Sequence, residues 1–146
     1  MDALVVFDSV AGNTEKIAQA IAAGIGAGTK AVRPNSPDAK HCERLSLLVV
    51  GSPTYGGRPT ETMQKYLDTL SSLPKALKIA AFDTRLKMKF ARLFGFAADK
   101  MEVFFREKGI GTKGRPEGFI VKGRNGPLAE GELERANAWG KSLRLE

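Results

Sequence analysis

Apolar runs alternate with amphipathic stretches along this chain. The runs richest in apolar residues are Leu4–Phe7, Leu45–Val50 and Leu77–Phe82. Such runs are typical of strands that are covered on both faces. After the first run, Ile17, Ile21 and Ile25 recur at helical spacing and form one apolar face. The alternation predicts one α/β domain over residues 1–146, with a parallel sheet and helices on both faces.

The remaining elements place three loops at one edge of this sheet. Shorter strands are predicted at Lys30–Arg33 and Phe119–Val121. Helices are predicted to begin near Thr14, Pro59-Thr60, Phe96 and Leu128. Ligands of open parallel sheets bind beyond the carboxyl ends of the strands, where the strand order reverses. We therefore expect a site formed by loops 8–14, 51–60 and 83–95.

The first loop joins a strand directly to a helix and has the sequence Ser9-Val10-Ala11-Gly12-Asn13-Thr14. Free backbone N–H groups and the positive end of a helix dipole favour an anion, typically a phosphate. Gly12 permits close backbone approach, and a Walker-type lysine is missing from the sequence. The alternative is an ordinary helix start with Asn13 as its cap.

The second loop, Gly51-Ser52-Pro53-Thr54-Tyr55-Gly56-Gly57, places an aromatic side chain beyond a central strand. Tyr55 can stack on a planar ring, while Gly56 and Gly57 let the backbone approach the ring edge. The alternative is a surface tyrosine in a glycine-rich turn. The two loops together therefore favour a ligand with a phosphate at one end and a planar ring at the other.

Taken in this order and at this separation, the two motifs resemble those of the flavodoxin family, and the resemblance covers nearly the whole chain. It implies a flavodoxin-like three-layer sandwich, with a five-stranded parallel sheet in the order 2-1-3-4-5. It also implies non-covalently bound FMN as the cofactor. The overall length resembles that of the short-chain members.

The resemblance assigns cofactor-binding roles to residues of all three loops. The first loop would hold the phosphate, the second would line the flavin ring with Tyr55 stacked on it, and the third would contact the pyrimidine edge or the other ring face. The residues so assigned are Ser9, Val10, Ala11, Gly12, Asn13, Thr14, Pro53, Thr54, Tyr55, Gly56, Gly57, Asp83, Thr84 and Arg85.

Three departures from the family pattern bear on this assignment. Ala11 stands where the family usually has a threonine, so one hydroxyl is missing from the phosphate loop. No second stacking aromatic is evident in the third loop, where Arg85 is a candidate to stack or to bond a flavin oxygen. The net charge is +7, whereas typical flavodoxins are acidic.

The positive charge is concentrated in one part of the chain. Residues 74–124 contain thirteen basic and five acidic side chains, while residues 1–73 contain seven of each. This surplus predicts a redox partner with an acidic surface, or a small quinone-like acceptor. No specific nucleic-acid binding is expected, because no recognition helix or set of stacking aromatics accompanies the charge.

The segment 85–96 is both basic and apolar, and it leaves four interpretations open. It can form a lid over the flavin, a docking surface for an acidic protein, a contact with a membrane surface, or a helix lead-in with solvated lysines. A cytoplasmic location is expected, because the lone Cys42 fits a reducing compartment. The oligomeric state is not predicted.

The expected function is electron transfer by FMN between a reductase and an acceptor protein or quinone. No catalytic residue or metal ligand is predicted, because the flavin itself would perform the chemistry. A carrier is favoured over a self-sufficient NAD(P)H-dependent reductase, since no nicotinamide site is evident. The alternative is a non-redox module of the same fold that binds a phosphorylated ligand or a protein partner without flavin.

Overall fold

The computed structural model of the chain describes residues 2–26, 28–87 and 95–144. The strands are β1 (Ala3–Phe7), β2 (Lys30–Val32), β3 (Leu47–Pro53), β4 (Lys78–Leu86), β5 (Gly111–Thr112) and β6 (Glu117–Val121). The α-helices are α1 (Asn13–Ile25), α2 (Glu61–Thr69), α3 (Ala97–Glu107) and α4 (Glu132–Ser142). A 3₁₀ turn at Pro37–Lys40 interrupts the connection between β2 and β3.

All strand pairs in the sheet are parallel, and its order is β2-β1-β3-β4 followed by β5 and β6. Both last strands pair with β4: Gly111 lies opposite Lys78, and Glu117 lies opposite Phe82. The two segments share the fifth position of the sheet, so the predicted order 2-1-3-4-5 is confirmed. The sequence predicted a single last strand there, Phe119–Val121, and the two-residue strand Gly111–Thr112 was not predicted.

Three predicted element boundaries near the candidate site are wrong. β3 continues to Pro53, so Gly51, Ser52 and Pro53 lie in a strand and not in the predicted loop 51–60. β4 continues to Leu86, so Asp83, Thr84 and Arg85 lie in a strand and not in a loop. Pairing with β6 across Phe82–Leu86 extends the strand, and this pairing depends on residues distant in sequence. α4 begins at Glu132 and not at Leu128, because Leu128 forms an isolated bridge with Val121.

Alternate side chains of the central strands enter two separate apolar layers. Leu48 and Val50 pack with α2 and α3, whereas Leu47 and Val49 pack with α1 and α4. The arrangement is the predicted three-layer sandwich. Among the residues that the structure describes, no helix is long and apolar enough to cross a membrane.

Helices α1 and α4 approach each other closely through two glycines. A Cβ atom on Gly140 would lie 2.3 Å from the backbone oxygen of Ile21, and one on Gly24 would lie 2.1 Å from that of Asn137. The two backbones therefore leave no space for a side chain at either position.

We expect Gly140→Ala to lower the free energy of unfolding by about 2–3 kcal/mol. In a solvent-exposed helix the same change would stabilise the protein by about 1 kcal/mol. A loss of stability would therefore show that the backbones of α1 and α4 are in contact at this position. Urea unfolding followed by circular dichroism measures it, with the exposed Lys141→Ala as the control on the same helix. A gain in stability for Gly140→Ala would contradict the packing.

Candidate functional site: a cavity at the carboxyl ends of β1, β3 and β4

The first loop forms a backbone cradle at the start of α1. Gly12 occupies the N-cap position with φ of +95° and has no side chain of its own to cap the helix. The hydroxyl of Ser9 lies beneath the loop, where it accepts hydrogen bonds from the N–H groups of Gly12 (3.1 Å) and Glu15 (3.3 Å). The alternative of Asn13 as an ordinary helix cap is therefore wrong.

Several donors of this cradle have no partner in the described part of the chain. The N–H groups of Val10, Ala11, Asn13 and Thr14 make no hydrogen bond to residues 2–26, 28–87 or 95–144. A Cβ atom built on Gly12 would meet nothing within 4 Å. The cradle is thus open and offers N–H donors at the positive end of a helix, which suits an anion.

The second loop forms a tight turn beside the cradle. Tyr55 and Arg58 exchange two backbone hydrogen bonds of 2.9 and 3.0 Å, and Gly56 and Gly57 between them both have positive φ. Positive φ at both central residues is the requirement of a type I′ turn, which glycines satisfy without strain. The turn leaves the Tyr55 side chain 39% exposed at the site.

Short polar side chains connect the three segments. The hydroxyls of Thr14 and Thr84 are 2.8 Å apart and share a buried hydrogen bond. The carbonyl of Thr84 accepts the N–H of Thr54 (2.9 Å), while the hydroxyl of Thr60 donates to Asp8 (2.6 Å). The strand ends are therefore held relative to one another before any ligand arrives.

The side chain of Asp83 points away from this site. It is fully buried and accepts hydrogen bonds from Nε (2.7 Å) and Nη2 (2.8 Å) of Arg85 and from the N–H of Ala98 (3.0 Å). Burial raises the pKa of Asp83, while the Arg85 guanidinium and the Ala98 N–H oppose that rise by stabilising the carboxylate. Asp83 thus anchors Arg85 and the first turn of α3.

A second aromatic ring, Phe96, lies at the site and was missed by sequence reasoning. Phe96 is the N-cap residue of α3, and the guanidinium carbon of Arg85 lies 3.5 Å from its ring centroid. The hydroxyl of Thr54 accepts the N–H of Ala97 (3.0 Å), which fixes the helix start. Sequence reasoning placed Phe96 at a helix start and in the segment 85–96 but did not name it as a site residue, because its approach to Arg85 depends on tertiary contacts.

These segments enclose a cavity of about 470 Å³, within the range of small-ligand sites. The predicted residues that line it are Val10, Ala11, Asn13, Thr14, Pro53, Thr54, Tyr55, Gly56, Gly57, Thr84 and Arg85. Ser9, Gly12 and Asp83 were also predicted but lie outside the lining. The lining also includes Leu86 and Gly95, which lie in the predicted segment 83–95 but were not named individually, and Phe96, Val121 and Arg124, which lie outside the three predicted loops.

Part of one predicted surface falls outside the described residues. The segment 85–96 includes residues 88–94, which the structure does not describe. Its lid, docking and membrane-contact interpretations therefore stay predictions.

Comparison with known proteins agrees with this geometry. The family model described as Flavodoxin matches residues 5–139. The chain belongs to the flavodoxin family. Members of this family bind FMN and transfer electrons, and the open N–H cradle with two flanking aromatics fits a phosphate-tailed ring system. A comparison with curated protein sequences finds no match.

Solved structures show the same fold at low sequence identity. A flavodoxin from the domain Archaea is 24% identical with a TM-score of 0.81, over 98% of this chain and 96% of that one. Flavodoxin 1 from Bacillus cereus is 19% identical with a TM-score of 0.80, over 98% and 97%. The flavodiiron core of Flv1 from Synechocystis is 23% identical with a TM-score of 0.77, over 98% of this chain and 35% of that one.

We expect Asp83→Asn to lower the free energy of unfolding by about 2–3 kcal/mol, because it leaves the Arg85 guanidinium without its buried counter-charge. Thermal or urea unfolding measures the loss. Asp68→Asn, the same change at an exposed position of α2, is the control and should cost less than about 0.5 kcal/mol. Equal effects at the two positions would contradict the anchoring role.

Proposed function

We propose that this member of the flavodoxin family is an FMN-dependent electron carrier between a reductase and an acceptor, which is a protein with an acidic surface or a small quinone. The observation that carries the proposal is the cavity itself. It contains N–H donors at the start of α1 that have no partner within the described residues, and it is lined by the aromatic side chains of Tyr55 and Phe96. When bound, FMN supplies the electron-transferring ring system.

The residues of the chain would bind and orient the cofactor at both ends. The backbone N–H groups of Val10, Ala11, Asn13 and Thr14 would hold the phosphate, and Tyr55 and Phe96 would contact the ring. No carboxylate, histidine or cysteine lines the cavity among the described residues, so the side chains there offer no acid or base near pH 7.

The charge around the cavity supports an acidic partner. Arg58 and Lys87 are exposed, and in the sequence they directly follow Gly57 and Leu86, which line the cavity. A positive rim of this kind attracts and orients a partner of opposite charge, with an association rate that falls as salt is added.

We expect the purified chain to bind FMN and to turn yellow, and dithionite to bleach the colour. Tyr55→Ala should weaken FMN and riboflavin equally, by about tenfold, because both ligands contain the ring that Tyr55 covers. Quenching of flavin fluorescence measures both dissociation constants. Val103→Ala, which truncates an exposed apolar side chain on α3, is the control.

A colourless protein that does not bind added FMN would refute the assignment of FMN as its cofactor. In that case the alternative of a non-redox module for a phosphorylated ligand would gain support. An unchanged affinity in Tyr55→Ala would refute the stacking role alone, because FMN would still bind.

For the carrier role, we expect anaerobic addition of NADPH alone to leave the FMN-loaded protein oxidised. Addition of a catalytic amount of a flavodoxin reductase with NADPH should then bleach it, because the reductase supplies the missing nicotinamide site. The absorbance of the oxidised flavin follows both steps. Rapid bleaching without the reductase would identify the protein as a reductase in its own right.

A further inference from the structure

A phosphate at the start of α1 would lack full charge compensation from the helix. A phosphate monoester carries about −1.5 to −2 charges near pH 7, whereas a helix N-terminus supplies roughly +0.5. The charged side chains that line the cavity, among the described residues, are Arg85 and Arg124. Since Asp83 already neutralises Arg85, Arg124 is the cation that remains for the ligand.

Side-chain donors are also scarce at the cradle. The hydroxyl of Ser9 accepts two backbone hydrogen bonds beneath the loop, and that of Thr14 is engaged with Thr84. Ala11 contributes no hydroxyl at all. A donor from another part of the chain would therefore complete the anion site.

The loop between β6 and α4 brings Arg124 to this place. Its backbone packs on the cradle, because a Cβ atom on Gly126 would lie 2.7 Å from Oδ1 of Asn13. The loop is held by hydrogen bonds from the N–H of Lys122 to the carbonyl of Pro127 (2.8 Å) and from the N–H of Gly126 to that of Gly123 (3.0 Å). Arg124 thus extends from a fixed loop beside the phosphate end of the cavity.

The side chain of Arg124 is available for a ligand. It is exposed and makes no hydrogen bond or ion pair within the described residues, unlike Arg85 and Arg135. A guanidinium group can donate two parallel N–H bonds to a phosphate, and it remains charged at any physiological pH.

We propose that Arg124 binds the phosphate of FMN and makes this site select FMN over riboflavin. The inference rests on the proposed function and deepens it, because it assigns phosphate recognition to a side-chain cation of the last loop in addition to the backbone cradle. A cation that binds the phosphate also makes the affinity for FMN fall as salt is added.

The test compares FMN with riboflavin, which has the same ring but no phosphate. Each is titrated into flavin-free wild-type protein, Arg124→Gln and Lys122→Gln, and the dissociation constants come from fluorescence quenching. Lys122→Gln removes the same charge from the same loop, at an exposed side chain outside the cavity lining. Arg124→Lys restores the charge without the paired donors.

We expect Arg124→Gln to weaken FMN about tenfold and to leave riboflavin unchanged. Arg124→Lys should recover part of the loss, and Lys122→Gln should have little effect. The dependence of FMN affinity on salt should also become shallower in Arg124→Gln.

Three results would overturn the inference while the proposed function stands: FMN affinity unchanged in Arg124→Gln, FMN and riboflavin weakened equally, or the same loss in Lys122→Gln. The second would place Arg124 at the ring, and the third would indicate general surface charge. If the wild-type protein binds neither flavin, the proposed function fails and the inference fails with it.

Discussion

The geometry of the site depends on Thr84, which joins the three segments that form it. Its buried hydroxyl shares a hydrogen bond with Thr14 at the start of α1, and its carbonyl accepts the N–H of Thr54 beyond β3. Thr54 in turn accepts the N–H of Ala97 and so fixes the start of α3. The cradle, the glycine turn and the second aromatic are therefore positioned by one connected set of short side chains. Such a set restricts the strand ends without filling the space between them.

The two arginines that line the cavity have different roles. Arg85 is neutralised by Asp83 and covered by Phe96, so its charge stabilises the start of α3 and the wall of the cavity. Arg124 has no such partner among the described residues and faces the open side. Burial of a paired charge costs free energy, and only good hydrogen-bond geometry offsets that cost. The Asp83–Arg85 pair therefore favours one position of α3. The cavity is basic because of its last loop.

The two glycine-containing motifs were predictable because each is local. A strand that runs directly into a helix leaves backbone N–H groups at the helix start without intrahelical partners, here those of Val10, Ala11, Asn13 and Thr14. Likewise, Tyr55 before a glycine pair predicts an exposed aromatic in a tight turn. The contributions of Phe96 and Arg124 were not predictable in this way. Phe96 belongs to a segment whose sequence predicts a helix start, and Arg124 belongs to one whose sequence predicts a polar loop. Only packing brings the two residues to the cavity.

The sequence by itself determined the order of the main elements, the two apolar layers and the chain segments that meet at the cavity. The apolar periodicity of strands and helices, and the glycines that interrupt them, are features of residues close together in the sequence. They are therefore present in the chain before it folds. Only the tertiary structure decided that Asp83 lies in a strand and pairs with Arg85, and that Phe96 and Arg124 line the same cavity as Tyr55. These outcomes depend on the pairing of β4 with β6 and on the packing of the last loop against Asn13. Contacts between residues so far apart in sequence cannot be recognised from any local sequence pattern.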